Sequence, residues 1–489
     1  MLRTKLFSRQ ILLLTACCWL VSNLAGPSVF AAEQKQPNIL FFFTDDQRFD
    51  TLGCAGHPII KTPNIDRLAA EGVRFDNMFV SHSICWVSRT TILTGLTARS
   101  FGVYEKPDQA KPEAVTALYP DLLRDAGYRT AHIGKWHAKM PKGFSPKDHY
   151  DVFEPIFRNP YLKKQEDGSL RHETELIGDK AIEFIKDQPK DQPFSINLWF
   201  NASHAEDRDH RPGVGHFPWP KATDGMYEDI DVPAPRLNDP AIFASQPQYL
   251  KDSINRERYF WRWDTPEKYQ TNIRAYFRMI SGIDNVVGRV LKTVKEQGFA
   301  DNTIVIYTAD NGYYMGDRGF AGKWSHYEES LRVPLIVYDP RLPKSSRGKV
   351  VSQMAMNLDL PVSFLSWAGV DVPESYQGLN LVPLVQGATP KKWRKDMFVE
   401  HVTLRPTISW EGVRNSRYKY ARYFDQTVDA EFLHDLQVDP DELKNFVNDP
   451  NYAKVLKQLR ARTDELVNHY GAPLVPYKPQ PPKKKRPKK

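Results

Sequence analysis

The stretch CWVSRTTILTG, from Cys85 to Gly95, spaces a thiol, a hydroxyl (Ser88) and a guanidinium (Arg89) at intervals of three and four residues. On a helix, Cys85, Ser88 and Arg89 would share one face, with Trp86 and Val87 pointing elsewhere. Cys85 would then stand at the helix N-terminus, where free amide donors and partial positive charge favour an anionic group. Two further pairs, Asp45–Asp46 and Asp310–Asn311, offer oxygen ligands only. Three carboxylates and an amide suit Ca²⁺, less well Mg²⁺, and argue against zinc. Arg89, Lys135 and Lys323 are fixed cations, with His137 and His204 beside them in type. Such groups around a divalent metal would bind a compact oxyanion and stabilise charge as it is transferred. Singly, each has an ordinary reading: a turn or helix cap for Asp45–Asp46, a solvated charge for a lysine, and an inert thiol or a bridge to Cys54 for Cys85.

Their shared position tips the balance. Four runs, NILFFFTDDQ, TAHIGKWHA, FSINLWFNASHAE and TIVIYTADNG, each pass from a continuous apolar, β-rich segment into a polar cluster. Continuous rather than alternating apolar runs predict strands buried on both faces of a mainly parallel sheet. Helical patterns separate them: TPNIDRLAAEG, YPDLLRDAG, ELIGDKAIEFIKDQ and YFRMISGIDNVVGRVLKTVKEQG. That alternation predicts an α/β sandwich whose active crevice lies beyond the carboxyl ends of the strands, where all four clusters fall. Residues 207–265, rich in proline, aromatic and charged side chains with little periodicity, read as an insertion over the crevice mouth. In it His210, Arg211, Trp219, Trp261, Arg262 and Trp263 are of types that could stack on sugar rings or meet anionic groups, or simply pack. From about residue 371 to 475 the pattern changes to antiparallel strands (SWEGVRNSRYKYARYF, AEFLHDLQVDP) and a closing helix, AKVLKQLRARTDELVNHY, a smaller α+β subdomain.

Of the formal net charge of +8, six charges lie in the tail PPKKKRPKK, leaving +2 for everything before it. Nucleic acid is therefore not the expected partner, and residues 476–489 read as a disordered basic tail. Residues 1–31 carry Arg3, Lys5 and Arg9, an apolar run, and small residues at Val29 and Ala31: a secretory signal, which implies a periplasmic or extracellular protein. LTAC, ending at Cys17, is the alternative, a lipoprotein anchor. No later segment is long and apolar enough to span a bilayer. The chain beyond the signal keeps only Cys54 and Cys85, too few for a disulfide scaffold.

CWVSRTTILTG resembles the signature CxPSRxxxLTG of the sulfatase family, formylglycine-dependent enzymes of the alkaline-phosphatase-like superfamily. The chain is similar to bacterial secreted arylsulfatases and carbohydrate sulfatases such as N-acetylglucosamine-6-sulfatase-like enzymes, and the resemblance runs through PNILFFFTDDQ, TPNIDRLAAEGVRF, GKWH, TADNG, GKWSHYEESLRVPLIVYDP and LHDLQVDPDELKNF. It implies an alkaline-phosphatase-like sandwich over residues 36–370 with a smaller C-terminal subdomain over 371–475. It also implies one Ca²⁺ per chain on Asp45, Asp46, Asp310, Asn311 and a formylglycine made from Cys85 by a maturing enzyme. By the same resemblance, Arg89 and Lys135 hold the formylglycine hydrate, and Lys135, His204 and Lys323 bind sulfate. His204 or Lys323 would protonate the leaving oxygen, and His137 would take the proton that lets sulfate leave. The substrate implied is a sulfate ester, foremost that of a carbohydrate in sulfated polysaccharide degradation. Two departures are plain: NASHAED lacks the proline that often neighbours the histidine, and Val87 replaces the signature proline. An unmodified, sulfate-binding pseudoenzyme is thus one alternative. A phosphatase or phosphodiesterase of the same superfamily is another, although these typically need an Asp-His pair where this chain has Asp310–Asn311.

Overall fold

NILFFFT, the run that leads to Asp45, is a strand with every residue buried, Asn38–Thr44 (β1). Leu40 and Phe42 belong to one apolar cluster and Phe41 and Phe43 to another, so alternate side chains enter cores on opposite faces of the sheet. At about 1.5–3 kcal/mol for each fully buried aromatic or aliphatic side chain, this one strand anchors both layers.

The structure is a computed structural model and describes residues 35–103, 109–208, 215–402, 409–423 and 431–471, with the fold below belonging to the unit that begins at Gln36. Residues 1–31, expected to be a signal, His210, Arg211 and residues 476–489, expected to be a basic tail, lie outside the described residues. After β1 come Val73–Phe79 (β2), Arg129–Gly134 (β3), Val152–Pro155 (β4), the hairpin Leu162–Lys164 and Leu170–His172 (β5, β6), and Phe194–Trp199 (β7). Then follow Thr303–Ala309 (β8), Arg332–Tyr338 (β9), Lys349–Val351 (β10), Ala355–Met356 (β11) and Asp396–His401 (β12). Trp410–Asn415 (β13), Tyr418–Tyr423 (β14) and Glu431–Asp435 (β15) complete the set.

The large sheet runs β10-β2-β9-β8-β1-β7-β3-β4, with β11 also on β2. The four runs singled out in the sequence are the adjacent strands β8, β1, β7 and β3, all parallel. Their carboxyl ends therefore open on one edge. β9 is antiparallel to both β8 and β2, so the sheet is mostly but not wholly parallel.

Helices cover both faces. They are Pro63–Glu71 (α1), Cys85–Thr94 (α2), Tyr119–Asp125 (α3) and Glu173–Lys186 (α4), then the short Pro240–Ala244 (α5), Gln248–Lys251 (α6) and Ile254–Arg262 (α7). Pro266–Glu296 (α8), Glu328–Leu331 (α9), Asp359–Ala368 (α10), Val382–Val385 (α11) and Ala453–Tyr470 (α12) follow. α8 packs on α4 and α1, and α10 on α3 and α2. α8 starts ten residues before the periodic stretch read from the sequence, because Pro266 begins it and the Thr265 side chain accepts from Lys268 N at 3.2 Å. Within 207–265, α5 to α7 are short helices where the sequence shows little periodicity.

β12 to β15 form a separate antiparallel sheet, and α12 closes its core with Leu456, Leu459, Leu466 and Val467 against Phe398, Val413, Tyr420 and Leu433. This sheet grips the main one at charged and polar contacts. Arg99 reaches Glu400 at 3.0 Å and Glu411 at 2.6 Å, and His326 meets His434 ring to ring, Nε2 to Nε2 at 3.1 Å. Among the described residues no helix is long and apolar enough to cross a membrane.

Candidate active site

Cys85 opens α2 as the helical expectation requires. Ile84 before it is extended, Ser88 N makes the first intrahelical bond to Ile84 O at 3.0 Å, and Gly95 ends the helix at φ 69°, donating to Thr91 O at 2.8 Å. A β-carbon at Gly95 would run into the Tyr376 ring, so glycine is needed there for space as well as for the left-handed turn. The small sheet props the approach to Cys85: Glu400 N donates to Ser81 O at 2.9 Å, and Val402 N to His82 Nε2 at 3.0 Å.

Cys85 Sγ lies 3.3 Å from His137 Nδ1. One ligand atom each from Asp45, Cys85 and Asp310 lies within 4.8 Å of the others, as do those of Asp45, Asp46 and His204. Every predicted site residue is thus brought to the one sheet edge. Asp45 and Asp46 follow β1, Lys135 and His137 follow β3, His204 follows β7, and Asp310 and Asn311 follow β8. Lys135 pairs with Asp45 and Lys323 with Asp46; Lys323 Nζ is also 3.8 Å from Asp45 Oδ1.

Arg89 is occupied by the protein itself. Its Nε donates to Asp310 Oδ2 at 2.9 Å, and its terminal nitrogens to Lys135 O at 3.1 Å and Phe200 O at 3.3 Å. Ser88, on the same helix face, accepts from Asn357 Nδ2 at 3.0 Å and so braces α2. Val87 is fully buried among Ile84, Trp86, Ala98, Phe101 and Val402. Within the insertion, Arg262 and Trp263 are buried and serve packing, and Trp219 donates to Asp224 Oδ1 at 2.7 Å while lying 4.6 Å from the Arg278 guanidinium.

The buried carboxylates feel opposed forces. Burial would raise Asp45, but Lys135, His204, Lys323 and Arg89 together hold it well below the carboxylate range. Burial and then the Asp45 charge push Asp310 up, against the pull of Arg89 and Lys135. Burial alone would lower Lys323, yet Asp46, Cys85, Asp45 and Asp310 keep it above the usual lysine value. Burial, then the Arg158 guanidinium, push His204 down to about 3.

The oxygens left over test whether a metal fits. Asp45 Oδ1, Asp46 Oδ2 and Asn311 Oδ1 are buried and have no hydrogen-bond partner. Three such acceptors together are costly unless a cation joins them, and a donor set dominated by carboxylate and amide oxygen fits a hard divalent ion. His204 Nε2, 3.7 Å from Asp46 Oδ2, adds one nitrogen to the rim.

Sequence reasoning missed four supports. Arg158, after β4, contacts His204 Nδ1. The same Nδ1 lies 2.7 Å from Ala205 O, so that edge of the ring is held by the protein and Nε2 is the edge that faces Asp46. Tyr276 OH donates to Asp46 O at 2.8 Å and holds Asp46 at φ 52°. Glu173 accepts from Asn201 Nδ2 at 3.0 Å and Ala202 N at 3.2 Å, fixing the loop that carries His204. Asp207 gathers arginines next to that loop. Arg158 follows a short strand with no apolar run to mark it; Tyr276 and Glu173 lie on helices, where their spacing reads as ordinary packing.

A family model described as Sulfatase matches residues 37–370, and one described as N-sulphoglucosamine sulphohydrolase, C-terminal, matches residues 316–469. An N-acetylglucosamine-6-O-sulfatase of Bacteroides thetaiotaomicron is 30% identical, over 94% of this chain and 91% of its own. A solved structure of a protein in complex with its substrate D-glucosamine-2-N,6-O-disulfate has a TM-score of 0.76 at 26% identity, covering 89% of this chain and 98% of that one. A phosphonate monoester hydrolase of Agrobacterium radiobacter shares the fold, with a TM-score of 0.73 at 23% identity, covering 89% of this chain and 96% of its own.

Proposed function

This chain belongs to the sulfatase family and is a sulfuric ester hydrolase, and from that premise we propose that it removes sulfate from a carbohydrate through a formylglycine made from Cys85. One observation carries the reading: Asp45, Cys85 and Asp310 present ligand atoms within 4.8 Å of one another at a helix N-terminus. The carbohydrate reading draws on the relative named for N-acetylglucosamine-6-O-sulfate and the structural neighbour bound to a sulfated glucosamine.

In this reading Asp45, Asp46, Asp310 and Asn311, with the modified Cys85, would hold Ca²⁺, which would supply positive charge to the sulfate oxygens. A formylglycine hydrate at position 85 would supply one hydroxyl oxygen to bond sulfur as the S–O bond to the sugar breaks, and a second hydroxyl whose proton loss would break the C–O bond to sulfate and restore the aldehyde. The side chains do the rest. Lys135, His204 and Lys323 bind the sulfate oxygens, and Arg89 orients Asp310 rather than the substrate. His137 Nδ1, 3.3 Å from the atom at position 85, takes the proton from that group. Arg158 and Ala205 O hold the Nδ1 edge of His204, so that Nε2 is the edge left for the sulfate and the leaving oxygen, and Lys323 shares that side through Asp46. Residues 36–370 form the catalytic domain and 371–475 the subdomain that braces it. Export by residues 1–31 and conversion of Cys85 by a maturing enzyme belong to the same reading.

The test is sulfate release from a panel of position-defined sulfated monosaccharides and oligosaccharides, beginning with 6-O-sulfated hexosamines. Release from at least one sugar ester supports the reading. Phosphate esters hydrolysed in its place would move the protein to the phosphatase alternative.

A further inference from the structure

Outside the reacting cluster, one carboxylate collects three guanidiniums. Asp207 pairs with Arg262, with Arg258 at 3.1 Å and with Arg158 at 3.8 Å. Burial would raise Asp207, but His204 and these arginines hold it below the usual carboxylate range, so it is charged. Three guanidiniums thus share this one carboxylate as their ion-pair partner among the described residues, with Asp45 a further negative charge felt by Arg158.

The two kinds of arginine differ in access. Arg262 has no exposed side-chain surface and anchors Asp207 from beneath. Arg158 and Arg258 keep 25% and 16% of their side chains exposed, enough to meet a ligand. Arg258 Nε is buried without a hydrogen-bond partner, and its guanidinium carbon lies 4.9 Å from the Trp324 ring. Trp324 follows Lys323 in sequence and packs in the same apolar cluster as Cys85. Arg158 reaches His204 from the other side. The arginine cluster thus borders the sulfate pocket rather than a remote surface. A buried guanidinium N–H such as Arg258 Nε is unfavourable until an acceptor joins it, and one carboxylate shared by three arginines leaves room for a second anion.

We propose that Arg158 and Arg258, gathered on Asp207, form a second anion subsite, and that the substrate is a carbohydrate sulfate bearing another anionic group, a sulfate or a carboxylate. This rests on the sulfatase reading above and narrows its substrate class.

The test uses the full chain with Cys85→Ala, which binds without turnover, titrated with a hexosamine monosulfate, the same sugar with a second sulfate, and a monosulfated disaccharide carrying a uronate carboxylate. A second anion should tighten binding by about 10-fold, the size of one charge-assisted contact. Arg258→Met should abolish that preference and Arg258→Lys should keep part of it, with thermal melts showing both variants folded. Comparing the two doubly anionic sugars tells which anion the subsite takes. Equal affinity for one and two anions, or a preference that survives Arg258→Met, would overturn the subsite. In parallel, the mature enzyme is assayed with para-nitrophenyl sulfate and the same sugars: sulfate release without preference sinks the subsite alone, whereas no release from any ester sinks the sulfatase reading with it.

Discussion

Arg89 and Asp310 form an ion pair with neither side chain exposed, Nε and a terminal nitrogen both on Oδ2 at 2.9 and 2.8 Å. The guanidinium is further fixed between the Phe43 and Trp199 rings, 5.0 and 5.1 Å from their centroids. The arginine at position 89 therefore sets the position of the Asp310 carboxylate and ties α2 to the ends of β3 and β7.

From this pair follows a stability prediction. Removing one partner of a buried pair leaves the other charge unpaired and costs about 3–5 kcal/mol. Arg89→Met should lower the urea midpoint by that equivalent, and Arg89→Lys should recover little, because a lysine cannot supply the fork that also reaches Lys135 O and Phe200 O. Unchanged unfolding curves would show that the pair contributes nothing to the fold.

In the proposed reading, Val87 would bear on the conversion of Cys85 rather than on the folded site. It lies in the first turn of α2, before the Ser88 N to Ile84 O bond, so a proline there removes no intrahelical hydrogen bond. Val87→Pro should keep the fold and alter only the fraction of Cys85 converted. That fraction is read from the tryptic peptide Phe75–Arg89, whose mass falls by about 18 Da when the thiol becomes an aldehyde. Activity per converted chain should be the same in both proteins. A peptide that remains entirely as cysteine in protein from the native host would leave the chain without its nucleophile.

His204 and Lys323 can be separated by leaving group. The residue that protonates the leaving oxygen matters most when that oxygen is basic, as in an alkyl sugar sulfate, and least with a nitrophenolate. Alanine at that residue should reduce kcat on the sugar ester by about 10²–10⁴-fold more than on the aryl ester. Alanine at the other should reduce both substrates alike. Equal losses on both esters from both variants would assign neither as the acid.

The parallel core was readable because β1, β7 and β8 are buried along their length, and β3 beyond Arg129, so that they read as largely apolar runs without alternation, and because each ends in its chemistry. β9 also reads as an apolar run, but its antiparallel pairing to β8 and β2 is a tertiary fact with no local signal. Asp45, Asp46, Asp310 and Asn311 stood out as oxygen pairs at predicted strand ends. Arg158 did not, since its contact with His204 bridges 46 residues and nothing in FRNP marks it. Likewise the packing of Trp263 and the burial of Arg262 depend on what α8 and Asp207 bring to them, so composition alone left sugar contact and packing both open.

The unpartnered oxygens of Asp45, Asp46 and Asn311 predict a metal effect visible without turnover. Ca²⁺ should raise the melting temperature of chelator-treated protein in a concentration-dependent way, since a ligand bound only by the folded state stabilises it by mass action. Asn311→Ala, which removes one of those oxygens, should shift the effect to higher Ca²⁺. A melting temperature indifferent to Ca²⁺ in the Cys85→Ala protein as well as in the parent would remove the metal from the reading.

Acid should unfold this protein through its neutral buried histidines. His172 caps α4, its Nδ1 accepting from Thr174 N at 3.2 Å while Nε2 donates to Pro218 O at 3.0 Å. Burial pushes it down to about 4, and burial likewise pushes His132, His401 and His434 to about 3. Each is lower in the folded chain than the unfolded value of 6.5, so its contribution is present above pH 6.5 and lost as pH falls toward the folded value. For His172 that is at most about 3 kcal/mol between neutral pH and pH 4. Urea unfolding followed from pH 7.5 to pH 4.5 should show stability falling steadily, and His172→Asn, which can still cap the helix but cannot take up a proton, should show a shallower slope. Parallel slopes for the two proteins would mean that His172 is protonated as readily in the fold as outside it.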